Sequence, residues 1–176
     1  PDEVKLILAK PMRKRVINNK IFMKMMNDIN KYNNLNDEEK QKIHFEKLKE
    51  ILIYSYNNVP YYKSLFDKCK FNPYEFENYK ELSVLPYMNK ETVINNFDAL
   101  ISKEKIDYYE AFTGGSSGKP LKILLETELA FKEKAFVYSY WSKYGYDYKN
   151  SRILTLRGLE FKNKNYKINP LDNQII

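Results

Sequence analysis

The chain has 176 residues, of which 43% are hydrophobic and 30% are charged, and these values predict a soluble globular protein of about one domain. No apolar run approaches the roughly 20 residues that a membrane span needs, so the sequence predicts no transmembrane segment. The 30 basic residues outnumber the 23 acidic ones, and the net charge of +7 favours anionic ligands. Because the basic residues are spread along the chain, this balance predicts no specific nucleic-acid interface.

Cysteine and histidine each occur once, as Cys69 and His44. These counts exclude an internal disulfide and a structural zinc site, and they fit a reducing compartment. His44 is the one candidate histidine base, but it edges an apolar helix face without a marked catalytic partner, which favours ordinary packing. Residues 3–9 are too few for a signal peptide and follow acidic residues, so we expect a cytoplasmic protein.

The N-terminal third is predicted to be almost wholly helical. Apolar residues recur at helical spacing from Ile17 to Ile29 and predict an amphipathic helix of about four turns. Its polar face is not densely basic, so docking against other parts of the protein is favoured over adsorption to a membrane surface. Asn36 and Glu39 form a capping-box pair that predicts a second helix running to about residue 56.

Shorter elements are predicted after this helix. Pro60 fits the first turn of a helix that ends before residue 72. Residues 78–86 are linker-like, and Asn89 fits the cap of a short helix over residues 90–97. The region therefore connects the helical N-terminal third to the part of the chain where strands are predicted.

From residue 108 onward the pattern changes. Residues 108–112 are typical of a strand, and residues 121–125 carry apolar side chains at period two, which predicts a second strand. Thr127 fits the cap of a helix over residues 127–144, which stops at Gly145, and residues 152–157 are predicted to form a buried strand. The order strand, loop, strand, long helix, strand predicts an α/β fold.

Between the two predicted strands lies a glycine-rich segment. Its candidate ligand-binding residues are Thr113, Gly114, Gly115, Ser116, Ser117, Gly118 and Lys119. Glycines allow positive φ and a close backbone approach, so successive amides can converge on phosphate oxygens, and lysine adds a compact positive charge. The strand-to-helix P-loop is excluded, because that motif requires glycine in place of Thr113 and Ser or Thr in place of Pro120. Pro120 also favours an extended Lys119, so no helix begins there.

This segment, Thr-Gly-Gly-Ser-Ser-Gly-Lys-Pro-Leu, resembles the glycine-rich signature of the adenylate-forming enzymes. It is most similar to their phenylacetate-coenzyme A ligase and capsular-polysaccharide-biosynthesis branch, although Gly114 stands where serine is more usual. Two further blocks resemble that branch and occur in the same order: Asn58-Val59-Pro60-Tyr61-Tyr62 with Leu65-Phe66 behind it, and residues 82–91 with Leu85-Pro86 and Asn89-Lys90-Glu91. The resemblance covers roughly residues 47–158.

The resemblance implies a helical segment over residues 1–58 and the start of an ATP-binding domain, a mixed sheet with flanking helices, over residues 59–176. It implies ATP and Mg²⁺ as cofactors, a small carboxylic acid as substrate, and coenzyme A or a sugar amine as acyl acceptor, with a possible setting in capsular or surface polysaccharide biosynthesis. In the implied ligase reaction the carboxylate attacks the α-phosphate of ATP, and the loop holds the β- and γ-phosphates. The resemblance assigns no catalytic residue and no metal ligand in this chain.

Other motifs of the family follow the loop in a chain more than twice as long: an aromatic-glycine-x-Thr-Glu motif, a ribose-binding aspartate, a hinge and a C-terminal lysine domain. None of them occurs by residue 176, and the chain starts at Pro1. We therefore expect the leading part of a longer enzyme, inactive without the downstream part. The alternative hypothesis is a non-catalytic basic interaction module, in which the glycine-rich loop is only a hairpin turn.

Overall fold

The structure is a computed structural model that describes residues 2–114, 118, 120–156 and 166–176. The helices of the described residues are α1 (Asp2–Leu8), α2 (Lys10–Ile17), α3 (Lys20–Asn33), α4 (Asp37–Asn58), α5 (Pro60–Cys69), α6 (Lys90–Asn95) and α7 (Leu129–Ser142). The strands are β1 (Tyr108–Phe112), β2 (Lys122–Glu126), β3 (Ile153–Leu154), β4 (Ile168–Asn169) and β5 (Gln174–Ile175). The predicted mixed α/β class is confirmed at this coarse level.

The chain forms two compact units. Leu35–Thr127 make one of them, here called the continuous unit, and Pro1–Asn34 with Glu128–Ile176 make the other, here called the split unit. The boundary predicted at residue 58 does not coincide with this grouping, because residue 58 is the last residue of α4, inside the continuous unit. The assignment of residues 59–176 to an ATP-binding domain stays a prediction.

The helices of the continuous unit begin where the sequence predicts. The Glu39 amide donates to Asn36 Oδ1 and the Asn36 amide donates to Glu39 Oε2, both at 2.9 Å, which completes the capping box of α4. α5 follows after Val59 with Pro60 in its first turn. It ends at Lys70, which takes the left-handed conformation with φ of 54°.

An aromatic cluster forms the core of the continuous unit. Phe66, Phe71 and Phe76 are buried, and Phe66 meets Phe71 edge to face with ring centroids 5.0 Å apart. Phe45 of α4 stacks on Phe76, also at 5.0 Å. His44 lies on the exposed side of α4, so the packed position predicted for it was wrong; Phe45, its neighbour in sequence, faces the core instead.

The segment predicted as linker-like is part of this core. Residues Tyr79–Val84 form a 3-10 helix, which Asn78 and Glu81 close with a second capping box. Leu82 and Leu85 pack against the aromatic cluster. The linker prediction was wrong because the helix is too short to show a hydrophobic period, although its capping pair has the same spacing as the pair that starts α4. Two more 3-10 helices lie at Pro73–Glu75 and Asp98–Leu100.

The split unit is centred on the packing of α3 against α7. Phe22 of α3 is fully buried and lies edge to face with Tyr138 of α7, at a centroid distance of 6.1 Å. The single helix predicted from Ile17 to Ile29 is divided, because the Asn19 side chain accepts hydrogen bonds from the first amides of α3 and caps it. The predicted apolar stripe nevertheless lies in the core of this unit.

Two predictions on the C-terminal side need correction. Thr127 does not cap α7: its amide donates to the Asp107 carbonyl at 3.0 Å, so it still belongs to the preceding hairpin, and the helix begins at Leu129. The strand predicted as buried over residues 152–157 is described only as β3, and Leu154 is 68% exposed. β3 pairs in parallel with β5, which pairs antiparallel with β4. Gly145, with φ of 86°, follows the end of α7 as predicted.

Candidate functional site: the glycine-rich hairpin

The candidate loop is the tip of an antiparallel hairpin in the continuous unit. β1 and β2 pair from Tyr108 opposite Glu126 to Phe112 opposite Lys122. This confirms the two predicted strands, with the second shifted by one residue from the predicted range 121–125. The loop therefore connects a strand to a strand, and the exclusion of a strand-to-helix P-loop agrees with the described structure.

Thr113 closes the base of the loop. Its amide donates to the Leu121 carbonyl at 3.0 Å, and its Oγ1 accepts a hydrogen bond from the Leu121 amide, also at 3.0 Å. The hydroxyl oxygen thus holds the two arms of the hairpin together one residue beyond the last strand pair. Because the Thr113 hydroxyl can still donate its own hydrogen, this position remains able to contact an anion.

The described glycines of the loop fit close approach by a ligand. Gly118 has φ of +141°, a conformation that L side chains rarely adopt, and Gly114 and Gly118 are both exposed. A methyl group built on either residue meets no atom within 4 Å, so the space beside the backbone is open. The predicted contacts of Gly115, Ser116, Ser117 and Lys119 lie outside the described residues.

The lysine just below the tip is already neutralised. Lys122 Nζ lies 2.5 Å from Glu110 Oε1 across the hairpin and 5.2 Å from the centroid of the Phe97 ring. Both charged side chains are partly exposed, so this pair adds little stability. Lys119, at the tip in sequence, stays the predicted cationic contact of the loop.

An open groove of about 390 Å³ runs beside the hairpin within the continuous unit. Its apolar side chains come from α6, from the segment between α6 and β1, and from β2: Val93, Phe97, Leu100, Ile101, Ile106, Ile123 and Leu124. At its polar side Tyr54 and Ser102 share a hydrogen bond of 2.8 Å between their hydroxyls. This groove was not predicted from the sequence, because its walls combine residues of a short helix, an irregular segment and a strand.

The ionisation of Tyr54 is shifted by these neighbours. The hydrogen bond with Ser102 lowers the pKa of the phenol, whereas burial and the carboxylates of Glu104 and Glu126 raise it, and the net pKa is above the ordinary value. Tyr54 therefore stays a neutral hydroxyl at physiological pH. It can donate or accept a hydrogen bond at the groove, but it does not supply a charge.

No cluster of three or more metal-ligating side chains occurs in the part of the chain that the structure describes. Of the described helices, none combines the length and the apolar character that a bilayer-crossing segment requires. Comparison with protein-family models, with curated proteins and with solved structures found no match for this chain.

Proposed function

We propose that this chain contains the phosphate-binding loop of an ATP-dependent, carboxylate-adenylating enzyme of the phenylacetate-coenzyme A ligase type. The observation that carries the proposal is a glycine-rich connection between two antiparallel strands, in which Gly114 and Gly118 are exposed and Gly118 has φ of +141°. A loop of this kind leaves backbone amides available to oxygen atoms, and its glycines keep the approach open. The match in residue types to the adenylate-forming signature, together with the two preceding blocks, gives the reaction class.

In this proposal the loop binds the β- and γ-phosphates of ATP. Its amides and hydroxyls donate hydrogen bonds to phosphate oxygens, and Lys119 offsets charge that develops on the departing pyrophosphate. The carboxylate of a small acid attacks the α-phosphate and displaces pyrophosphate. The resulting acyl-adenylate then passes its acyl group to coenzyme A or a sugar amine and releases AMP. Bound Mg²⁺ would supply charge neutralisation. No Mg²⁺ ligand and no catalytic residue is assigned in this chain.

A second candidate is favoured by one observation. Thr113 and Lys122, the described polar residues at the base of the loop, already have partners within the hairpin. A glycine-rich turn that only connects two strands would show the same arrangement. In that case the chain is a non-catalytic basic module, and the loop contributes to stability rather than to ligand binding.

Titration with ATP and with tripolyphosphate separates the two candidates. If the loop binds phosphate, Lys119→Ala weakens binding by about 1.5–3 kcal/mol, the range for a hydrogen bond to a charged group, and hardly changes the free energy of unfolding. The matched controls are Lys103→Ala and Lys164→Ala, which remove the same charge elsewhere. Salt is held constant, because screening alone can mimic a lost contact. Equal affinities in all three variants would contradict the proposal and favour diffuse binding by the basic surface.

A further inference from the structure

A second candidate site lies in the split unit. Its residues are distant in sequence from the glycine-rich hairpin and are of different types. A surface cavity of about 340 Å³ is bordered by α1, α2 and the segment before β3. Its polar lining consists of Lys10, Arg13, Lys149, Asn150, Arg152 and Asn173. Four of these six side chains are cations, and the described residues that line the cavity include no carboxylate.

Two hydrogen bonds hold the guanidinium group of Arg13 in place. Its Nη1 donates to the Pro170 carbonyl at 2.9 Å and to Asn173 Oδ1 at 3.4 Å. Asn173 is itself fixed, because its Nδ2 donates to the Ser151 carbonyl at 2.9 Å. These bonds leave the other guanidinium N–H groups of Arg13 available, so one cation of the cavity is preorganised on a folded turn.

Two carboxylates among the described residues of this unit, Asp147 and Asp172, already have partners. Asp147 accepts a hydrogen bond from the Lys149 amide at 2.9 Å and another from Asn150 Nδ2 at 2.6 Å. These two bonds, the first being the larger cause, hold the pKa of Asp147 below its usual value. Asp172 pairs with Lys134. Among the described residues, the side chains of Lys10 and Arg152 form no hydrogen bond or ion pair. Their charges are therefore available to a ligand.

We propose that this cavity binds a phosphomonoester or diphosphate group. Four cations that line one cavity repel one another. An anion with two or more negative charges relieves that repulsion and accepts hydrogen bonds from the N–H groups of two arginines. The volume exceeds what a single phosphate needs, so the group to which the phosphate is attached has room as well. That group contacts Leu6 and Ile7, which form the apolar part of the lining; Ile7 is 63% exposed.

Two sources carry this chemistry: a soluble phosphorylated metabolite, and the phosphate headgroup of an anionic lipid. The first arm of the test is calorimetric titration of the full chain with inorganic pyrophosphate, in a Lys119→Ala background so that the hairpin loop does not contribute. We expect Arg152→Ala and Lys149→Ala each to weaken binding about 10-fold or more, as loss of a charge-assisted hydrogen bond should. Arg15→Ala is the matched control, because Arg15 is an exposed arginine of α2 outside the cavity lining.

The second arm uses vesicles of phosphatidylcholine with and without phosphatidic acid. Binding that requires phosphatidic acid, is displaced by pyrophosphate and is lost with Arg152→Ala supports the site with a lipid headgroup as its ligand. Pyrophosphate binding without vesicle binding supports the site with a soluble ligand. Equal loss of affinity in Arg15→Ala and Arg152→Ala, or no saturable binding in either arm, would overturn the inference. If Trp141 fluorescence shows that the Arg152→Ala variant does not fold, the same titrations with the Lys149→Ala variant test the site.

The two anion-site proposals fail separately. If Lys119→Ala abolishes tripolyphosphate binding and Arg152→Ala does not change pyrophosphate binding, the proposed function is supported and the anion site in the cavity is rejected. The reverse result would support the anion site in the cavity and reject phosphate binding by the loop. Since β1 and β2 of the hairpin belong to the continuous unit and the cavity lining belongs to the split unit, neither outcome follows from the other.

Discussion

The split unit and the continuous unit have cores of the same kind that are built from very different stretches of sequence. In the continuous unit, Phe66, Phe71 and Phe76 lie within one short stretch, and the helix that covers them is close in sequence. In the split unit, Phe22 packs against Ala135 and Tyr138, which follow it only after the whole continuous unit. Aromatic cores of similar burial can therefore rest on local contacts or on the closure of a long loop, which carries an additional entropic cost.

The largest effects on the free energy of unfolding are expected when one buried aromatic ring is removed from either core. Phe22→Ala and Phe76→Ala should each lower the free energy of unfolding by about 3–5 kcal/mol, because both rings are fully buried and leave a cavity. Urea unfolding followed by Trp141 fluorescence reports on the split unit, and the reactivity of the half-buried Cys69 thiol reports on the continuous unit.

The matched controls for these two variants are exposed phenylalanines. Phe136 of α7 is 57% exposed and Phe112 of β1 is 62% exposed, so their replacement by alanine should cost far less. If Phe136→Ala destabilised the protein as much as Phe22→Ala, the described core of the split unit would be wrong.

High pH should weaken the split unit through Tyr138. Burial, with smaller contributions from Tyr146 and Asp172, raises the pKa of Tyr138 well above its ordinary value near 10. Its contribution to stability is complete below pH 10. Above that pH the unfolded chain releases a proton that the folded chain still binds, so the free energy of unfolding falls as pH rises, by at most about 1.4 kcal/mol per pH unit.

Tyr138→Phe should therefore reduce the slope of stability against pH above pH 10, measured by Trp141 fluorescence. Tyr87→Phe is the control, because the Tyr87 side chain is fully exposed in the continuous unit. An unchanged slope in Tyr138→Phe would show that this hydroxyl is not protected from ionisation in the folded state.

The smallest effects compare helix caps in the two units. Asn19→Ala removes the acceptor for the first amides of α3, and Asn36→Ala removes the acceptor for the Glu39 amide of α4. Each should cost about 1 kcal/mol in thermal or urea unfolding. Asn36→Asp should retain most of the stability, since aspartate caps equally well. A loss of several kcal/mol from either alanine variant would indicate that the asparagine does more than cap its helix.

The parts of the fold that the sequence predicts correctly depend on contacts between near neighbours. Asn36 with Glu39 and Pro60 each act within one turn, so their residue types suffice to place α4 and α5. The hairpin strands follow for the same reason, because period two and a glycine-rich connection between them are local signals.

The errors occur where a distant or competing contact decides the structure. Thr127 has the chemistry of a cap, but its amide pairs with Asp107 and keeps it in the hairpin. Leu154 is apolar, yet the small three-stranded sheet does not cover it. The division of the predicted helix at Asn19 was missed because the apolar stripe continues through the break. The cationic cavity was not predicted from the sequence either, since its residues come from both ends of the chain.

The candidate loop could be placed between two strands from its sequence, but its ligand could not. Residue types there allow both a phosphate site and a simple turn, and the difference lies in where the amides and Lys119 point when an anion is present. The glycines make this directly measurable, because the chain has only five of them. Three lie in the loop, and Gly145 and Gly158 serve as internal references.

The decisive measurement is a titration with tripolyphosphate in which ¹H–¹⁵N spectra monitor the signals of the glycine amides. It uses the Arg152→Ala chain at fixed salt, so that anion binding to the cavity of the split unit is weakened. If the loop binds phosphate, the amide signals of Gly114, Gly115 and Gly118 shift together and saturate, while those of Gly145 and Gly158 stay in place. Five signals that do not move, or that all drift without saturation, would contradict the nucleotide-binding account.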